Sequence, residues 1–193
     1  NDCTFETPWP VPGTEDLYLN TTEPYSPFYW VEYSSESGRF IATGLNRIVM
    51  YSEDGVSWYH GITPLRSASG AVLTSVNLNH VSYGNGTWVA SDTNDPSGIM
   101  YSIDDGLNWQ YGSYDTAPSK GVFATVWTGS RWIAVAGDQF AESADGITWT
   151  LNDDLSTPGE ALSRAGISYN SSMGLIVSPL EGECIAIRWY EPN

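Results

Sequence analysis

The sequence predicts an all-β fold built from about four repeated units, and three observations carry that prediction. A short turn recurs as Ser52-Glu53-Asp54-Gly55-Val56-Ser57-Trp58, Ser102-Ile103-Asp104-Asp105-Gly106-Leu107-Asn108-Trp109 and Ser143-Ala144-Asp145-Gly146-Ile147-Thr148-Trp149. A pattern of three apolar strands surrounds each copy, and helical periodicity is sustained nowhere. The Asp residues recur about 40–50 residues apart, the period of one four-stranded unit of a β-propeller. Each turn suits a tight hairpin. The carboxylate accepts from backbone N–H groups, Gly takes a positive φ, and Trp packs beneath a neighbouring strand.

In chain order, residues 1–27 carry no repeat signature and are rich in proline, including Pro8, Pro10, Pro12, Pro24 and Pro27. Proline at that density removes donors and favours extended backbone, so this segment reads as an arm preceding a domain over residues 28–193. Within that domain a first strand ends on an aromatic residue at Tyr33, Tyr83, Trp127 and Tyr169. The second begins with a large apolar residue at Phe40, Trp88, Trp132 and Leu175. A third strand runs into each Asp turn, and the segments around 63–70 and 116–121 read as loops between units. The fourth unit ends without an Asp turn and is one strand short. The N-terminal segment around Cys3 is the candidate to complete it and close the ring. Cys3 and Cys184 lie near opposite ends of the chain, a natural place for a disulfide that ties the ends together, stabilising by about 2–4 kcal/mol.

The turns resemble the Asp-box of sialidase-like β-propellers. The middle copy matches the full Ser-x-Asp-x-Gly-x-x-Trp spacing, and the outer copies are one residue shorter. The resemblance implies structural roles for Ser52, Asp54, Gly55 and Trp58, for Ser102, Asp104, Gly106 and Trp109, and for Ser143, Asp145, Gly146 and Trp149. It also raises a sialidase-like glycoside hydrolase, whose site uses three arginines, a Tyr–Glu nucleophile pair and an acidic Asp. The family's first arginine motif is matched only by Asn46-Arg47-Ile48-Val49, which lacks its aromatic residue and proline. Arg39 and Arg131 sit at equivalent turn positions where solvated surface charge is the simpler account. Such hydrolases use six units, more than 193 residues hold, so the expectation is a protein that is not an enzyme.

Composition narrows the partners. Seven Lys and Arg against 23 Asp and Glu leave a formal net charge of -16, which repels nucleic acid and anionic membrane surfaces. No apolar run is long enough for a membrane-spanning helix. The chain opens at Asn1 rather than Met, as a processed mature form or an excised piece does. Sequons at Asn20, Asn85 and Asn170, with the cysteine pair, point to an extracellular, secreted or particle-surface glycoprotein. Asn85 and Asn170 fall in corresponding turns of two repeats.

Two histidines, His60 and His80, have no ligand-spaced partners in sequence and read as surface or hydrogen-bonded residues. Asp92 and Asp95 offer carboxylates of the kind Ca2+ takes, but their loop lacks the remaining ligands, and a self-solvated turn is the simpler account. No other cofactor is indicated. Most of the nine Trp fall at repeated core positions, whereas Trp9, Tyr18 and Tyr25 lie on the arm and are candidates for contact with a partner. The function expected is a structural or interaction module, a subunit of an extracellular fibre or spike that self-associates through its arm. A glycan- or receptor-binding head is the alternative.

Overall fold

A computed structural model describes residues 28–64, 76–94, 98–152 and 166–178, with backbone alone at Pro179 and Cys184–Arg188. The arm with Trp9, Tyr18, Asn20 and Tyr25, the Cys3–Cys184 pairing and Asp95 therefore lie outside the described residues. What is described is all β, with no helix.

The first sheet is a four-stranded antiparallel meander of β1 (Phe28–Ser34), β2 (Arg39–Gly44), β3 (Val49–Ser52) and β4 (Tyr59–His60). The second repeats it with β5 (Leu78–Gly84), β6 (Thr87–Asp92), β7 (Ile99–Ser102) and β8 (Gln110–Tyr111). The short strand β9 (Ser113–Tyr114) leaves the second sheet and joins the third, which contains β10 (Ala124–Trp127), β11 (Trp132–Ala136), β12 (Gln139–Ser143) and β13 (Thr148–Leu151). The fourth sheet has three strands among the described residues: β14 (Ser168–Asn170), β15 (Leu175–Pro179) and β16 (Cys184–Arg188).

In each of the first three sheets an aromatic cross-strand pair joins the first strand to the second and sets their register. Tyr33 faces Phe40, Tyr83 faces Trp88 and Trp127 faces Trp132, with ring centroids 4.5, 4.9 and 5.5 Å apart. Such pairs lock the alternation of inward and outward side chains, because a slip of one residue would invert both strands. In the fourth sheet the partner of Tyr169 is Ile176, not Leu175, which pairs with Asn170 at the mouth of the hairpin. The sequence alignment was therefore one residue early there. Ile176 is fully buried in the slot that Trp88 and Trp132 occupy elsewhere.

The sheets pack head to tail. Ile41 and Val49 on one face of the first sheet meet Val81, Trp88, Ala90, Met100 and Trp109 of the second. Val89 and Ile99, on the second sheet's opposite face, meet Trp132, Ala134, Ala141 and Trp149 of the third. Ile133 and Phe140 then meet Ile176, with Tyr169 packed alongside. The first two contacts set an aliphatic face against the Trp-bearing face of the following sheet, and in the third Ile176 stands where the Trp would be. Truncating a buried Trp costs about 3–5 kcal/mol, so these residues dominate the core. The first strands adjoin as well, and Ser82 and Thr125 hydroxyls meet across β5 and β10 at 2.7 Å.

Candidate functional site

The three Asp turns are built alike. Ser52, Ser102 and Ser143 hydroxyls donate to Oδ1 of Asp54, Asp104 and Asp145 at 3.1, 2.8 and 2.9 Å, while the same hydroxyls accept from the Gly55, Gly106 and Gly146 N–H groups. In the outer turns Oδ1 also accepts two backbone N–H bonds, from Val56 and Ser57 and from Ile147 and Thr148. The longer middle turn brings one, from Asn108, and the Asn108 side-chain amide donates to Oδ2 at 2.7 Å instead. Its extra residue, Asp105, takes a φ of 58°, and the three glycines take 72°, 83° and 77°. The indole N–H of Trp58, Trp109 and Trp149 donates back to the carbonyl of its own turn's glycine, at 3.2, 2.9 and 3.1 Å. That closing bond was not foreseen from sequence.

These bonds set the charge of the turns. The Ser57 and Val56 N–H groups hold the Asp54 carboxyl at about 2. Burial pushes Asp104 and Asp145 upward, but the hydrogen bonds from Asn108, and from Thr148 and Ile147, outweigh it and leave both below the ordinary value. Carboxylates so committed stay ionised and act as structural acceptors.

The segments after β4 and β8 reach into the next sheet. Ile62 N–H donates to Leu107 O and Trp109 N–H returns to Ile62 O, both at 2.8 Å. Ser113 N–H donates to Ile147 O at 2.9 Å and Asp115 N–H to Trp149 O at 3.1 Å. Both pairings are parallel. The residues entering these clasps are Gly61 and Gly112. A Cβ on Gly61 would lie 2.7 Å from Gly106 O and 3.0 Å from Trp109 Nε1, and one on Gly112 would lie 3.0 Å from Ile147 O. Asn152 makes the equivalent bond to Phe140 O, matching Gly61 to Val49 O and Gly112 to Ile99 O. Among the described residues no turn of the fourth sheet packs against Asn152, which carries a side chain where the other two positions are glycine.

Other candidates resolve as follows. Arg39 and Arg131 are not merely solvated charges. Arg39 pairs with Glu53 at 3.1 Å, lies over the Tyr51 ring and donates to Asp105 O in the second sheet's turn, while Arg131 pairs with Glu142 at 3.1 Å. Arg47 is buried and donates to Pro64 O. Asp92 is buried, and its Oδ1 accepts from the N–H groups of Asn77 and Asn94, as a turn cap does. Among the described residues no three His, Cys, Asp or Glu side chains gather as a metal site. Asn85 and Asn170 are both exposed on hairpins joining a first strand to a second. The Asn170 turn is held by Oδ1, which accepts from Ser172 and Met173.

Two features have no structural task. One is the outward face of the first sheet, where Val31 and Tyr33 are 56% and 50% exposed and Phe40 and Trp58 are half-buried, although their counterparts Val81, Trp88, Trp132 and Trp149 are fully buried. The other is a cavity of about 370 Å³ where the four sheets' first strands begin. Tyr29 and Trp30 of β1 form one wall, Asn77, Asn79 and His80 another, and Thr93, Asn94, Phe123 and Gly166 complete the described lining. His80 packs against Trp30 with ring centroids 4.5 Å apart and planes tilted by 37°, and burial lowers its pKa to about 4, so the imidazole is neutral at pH 7. The sequence reads His80 as a surface or hydrogen-bonded residue, whereas it is buried with Nδ1 unpartnered, because its neighbours come from other sheets.

No family model and no curated protein matches the chain. Among solved structures it is similar to the computationally designed Ika4 protein, with a TM-score of 0.55 at 11% identity over 86% of this chain and 92% of that one. It is also similar to the extracellular domain of the putative one component system BT4673 from B. thetaiotaomicron, with a TM-score of 0.61 at 8% identity over 88% of this chain and 22% of that one. At these identities the likeness is one of fold. Among the described residues no helix is long and apolar enough to cross a membrane.

Proposed function

We propose that the chain is a non-enzymatic structural module, a repeating subunit of an extracellular fibre or spike, built as a small propeller of about four Asp-box blades. The uncovered aromatic face of the first sheet carries this reading. Twice within the chain, on the second and third sheets, a face of that composition is covered by the aliphatic face of the sheet before it. Among the described residues no sheet covers this face of the first sheet, and a second copy's fourth sheet has the matching chemistry. Contacts of this kind are heterologous, and when the rotation does not close they generate filaments. Among the described residues no strand pairs with the outer side of β16, which suits addition of an extended strand, and the Pro-rich arm of a neighbouring copy is the segment in this sequence fitted to supply it.

The cavity favours a second reading, a glycan-binding head. Its described lining has neither arginine nor carboxylate, the groups a sialidase-like hydrolase uses, which supports a non-enzymatic reading of either kind.

Deletion of residues 1–27 and, separately, Tyr33→Asp test the assembly. Light scattering and electron microscopy of the intact chain are expected to show polymers. Both variants are expected to stay folded by circular dichroism yet remain monomeric. An intact chain that is monomeric at high concentration, or polymers that survive both changes, overturns the proposal.

A further inference from the structure

We propose that the cavity at the beginning of the first strands is a binding site for a neutral saccharide unit, held by Trp30, His80 and Asn77. The volume of about 370 Å³ falls within the range of small-ligand sites, about 300–1,000 Å³. Its walls come from separate sheets, so the space is a product of the tertiary packing rather than of one loop.

The lining is polar where a core would be apolar. His80 is 6% exposed and its Nδ1 has no hydrogen-bond partner, nor does the buried Oδ1 of Asn77. An orphaned buried polar atom costs about 1–3 kcal/mol, and an apolar residue of similar shape would avoid that cost. Both residues line the cavity, and rotation of either side chain about its terminal torsion turns its orphaned atom toward a ligand that supplies the missing partner.

The chemistry of that ligand follows from the lining. The Asn77 oxygen requires a donor. His80 Nδ1 requires an acceptor or a donor according to tautomer, and a hydroxyl serves as either. Trp30 and Tyr29, 37% and 45% exposed, present aromatic surface to the same space, which suits the C–H face of a pyranose. Asn79 completes the amide wall, its Nδ2 donating to Thr93 Oγ1 at 3.1 Å. No cationic side chain is among the described lining and the chain carries a net charge of -16, so an anionic sugar is disfavoured.

Saturation-transfer NMR on the full chain tests the site, with methyl glucoside, methyl mannoside and N-acetylglucosamine as probes and sialic acid and a neutral tripeptide as comparators. At least one neutral sugar is expected to receive saturation on its ring protons and to shift the Trp30 indole signal, while sialic acid does neither. Trp30→Ala and His80→Phe are each expected to weaken binding by about tenfold or more. Tyr59→Ala, outside the cavity, is expected to leave it unchanged. His80→Phe should hold or raise the melting temperature, which a purely structural histidine would not allow. Absence of any neutral-sugar signal, binding undiminished in both cavity variants, or displacement of the sugar by the tripeptide overturns the inference. Trp30 sits at the surface, so Trp30→Ala and the wild-type indole shift report even if His80→Phe fails to fold. The result is independent of whether the chain polymerises.

Discussion

Asp54 accepts from the N–H groups of Val56 and Ser57 and from the hydroxyls of Ser52 and Ser57, and its carboxyl sits at about 2 against an ordinary value near 3.9. The unfolded chain therefore binds this proton more tightly than the folded one. The stability that Asp54 contributes is fully present above about pH 4 and is lost as pH falls through about 2. Asp104 and Asp145 are lowered too and act in the same direction. Urea unfolding of the wild type between pH 5 and pH 2 is expected to show falling stability, with a shallower fall in Asp54→Asn, which keeps an acceptor but no titrating group. Equal slopes would mean that the turn does not hold the ionised form. Asp145→Ala is expected to cost about 1–3 kcal/mol by stranding the Ile147 and Thr148 N–H groups. The sequence made these residues legible because every partner lies within four positions. Trp indole closure on the glycine carbonyl is equally local, but a Trp at that spacing reads first as a packing residue.

At the scale of elements, antiparallel strands were readable from their alternation, whereas the parallel clasps were not. Ile62 and Ser113 each occupy a stretch too short to show a period, and their partners lie in the following unit. The importance of Gly61 depends on Gly106 and Trp109, residues that no local pattern connects to it. Gly61→Ala is expected to destabilise by about 1–3 kcal/mol, because the added methyl meets backbone rather than a yielding side chain. Asn152→Gly, which adds the same flexibility where the described residues show no clasp, is expected to change stability by less than about 1 kcal/mol. Thermal unfolding of the two variants measures the contrast, and similar losses in both would sink the account of the clasp. The misplacement at Leu175 has a related origin. Hydrophobicity alone cannot distinguish Leu175 from Ile176, and the pairing of Asn170 with Leu175 decides it.

At the scale of the whole molecule, the second and third sheets are covered on both faces and the first on one. All six residues of β6 and all five of β11 are buried, while β1 exposes Phe28 through Val31. Amide exchange is expected to be slowest at Trp88–Ala90 and Ile133–Val135 and fastest, among strands, along β1. In assembled material β1 should gain protection, and uniform exchange across all sheets would contradict the graded burial. The order of units was legible from repeats, but the unequal burial was not, because the four first strands are chemically alike. The cavity was hidden for the same reason, since its lining residues come from separate units. The clasps also give the chain a direction in time. Gly61–Ile62 and Gly112–Ser113 precede in sequence the turns they hold, so in a chain made from its N-terminus each latch has left the ribosome before the loop that it will fasten. A unit truncated upstream would have its turn but not its latch, so synthesis and unit order are coupled through two glycines.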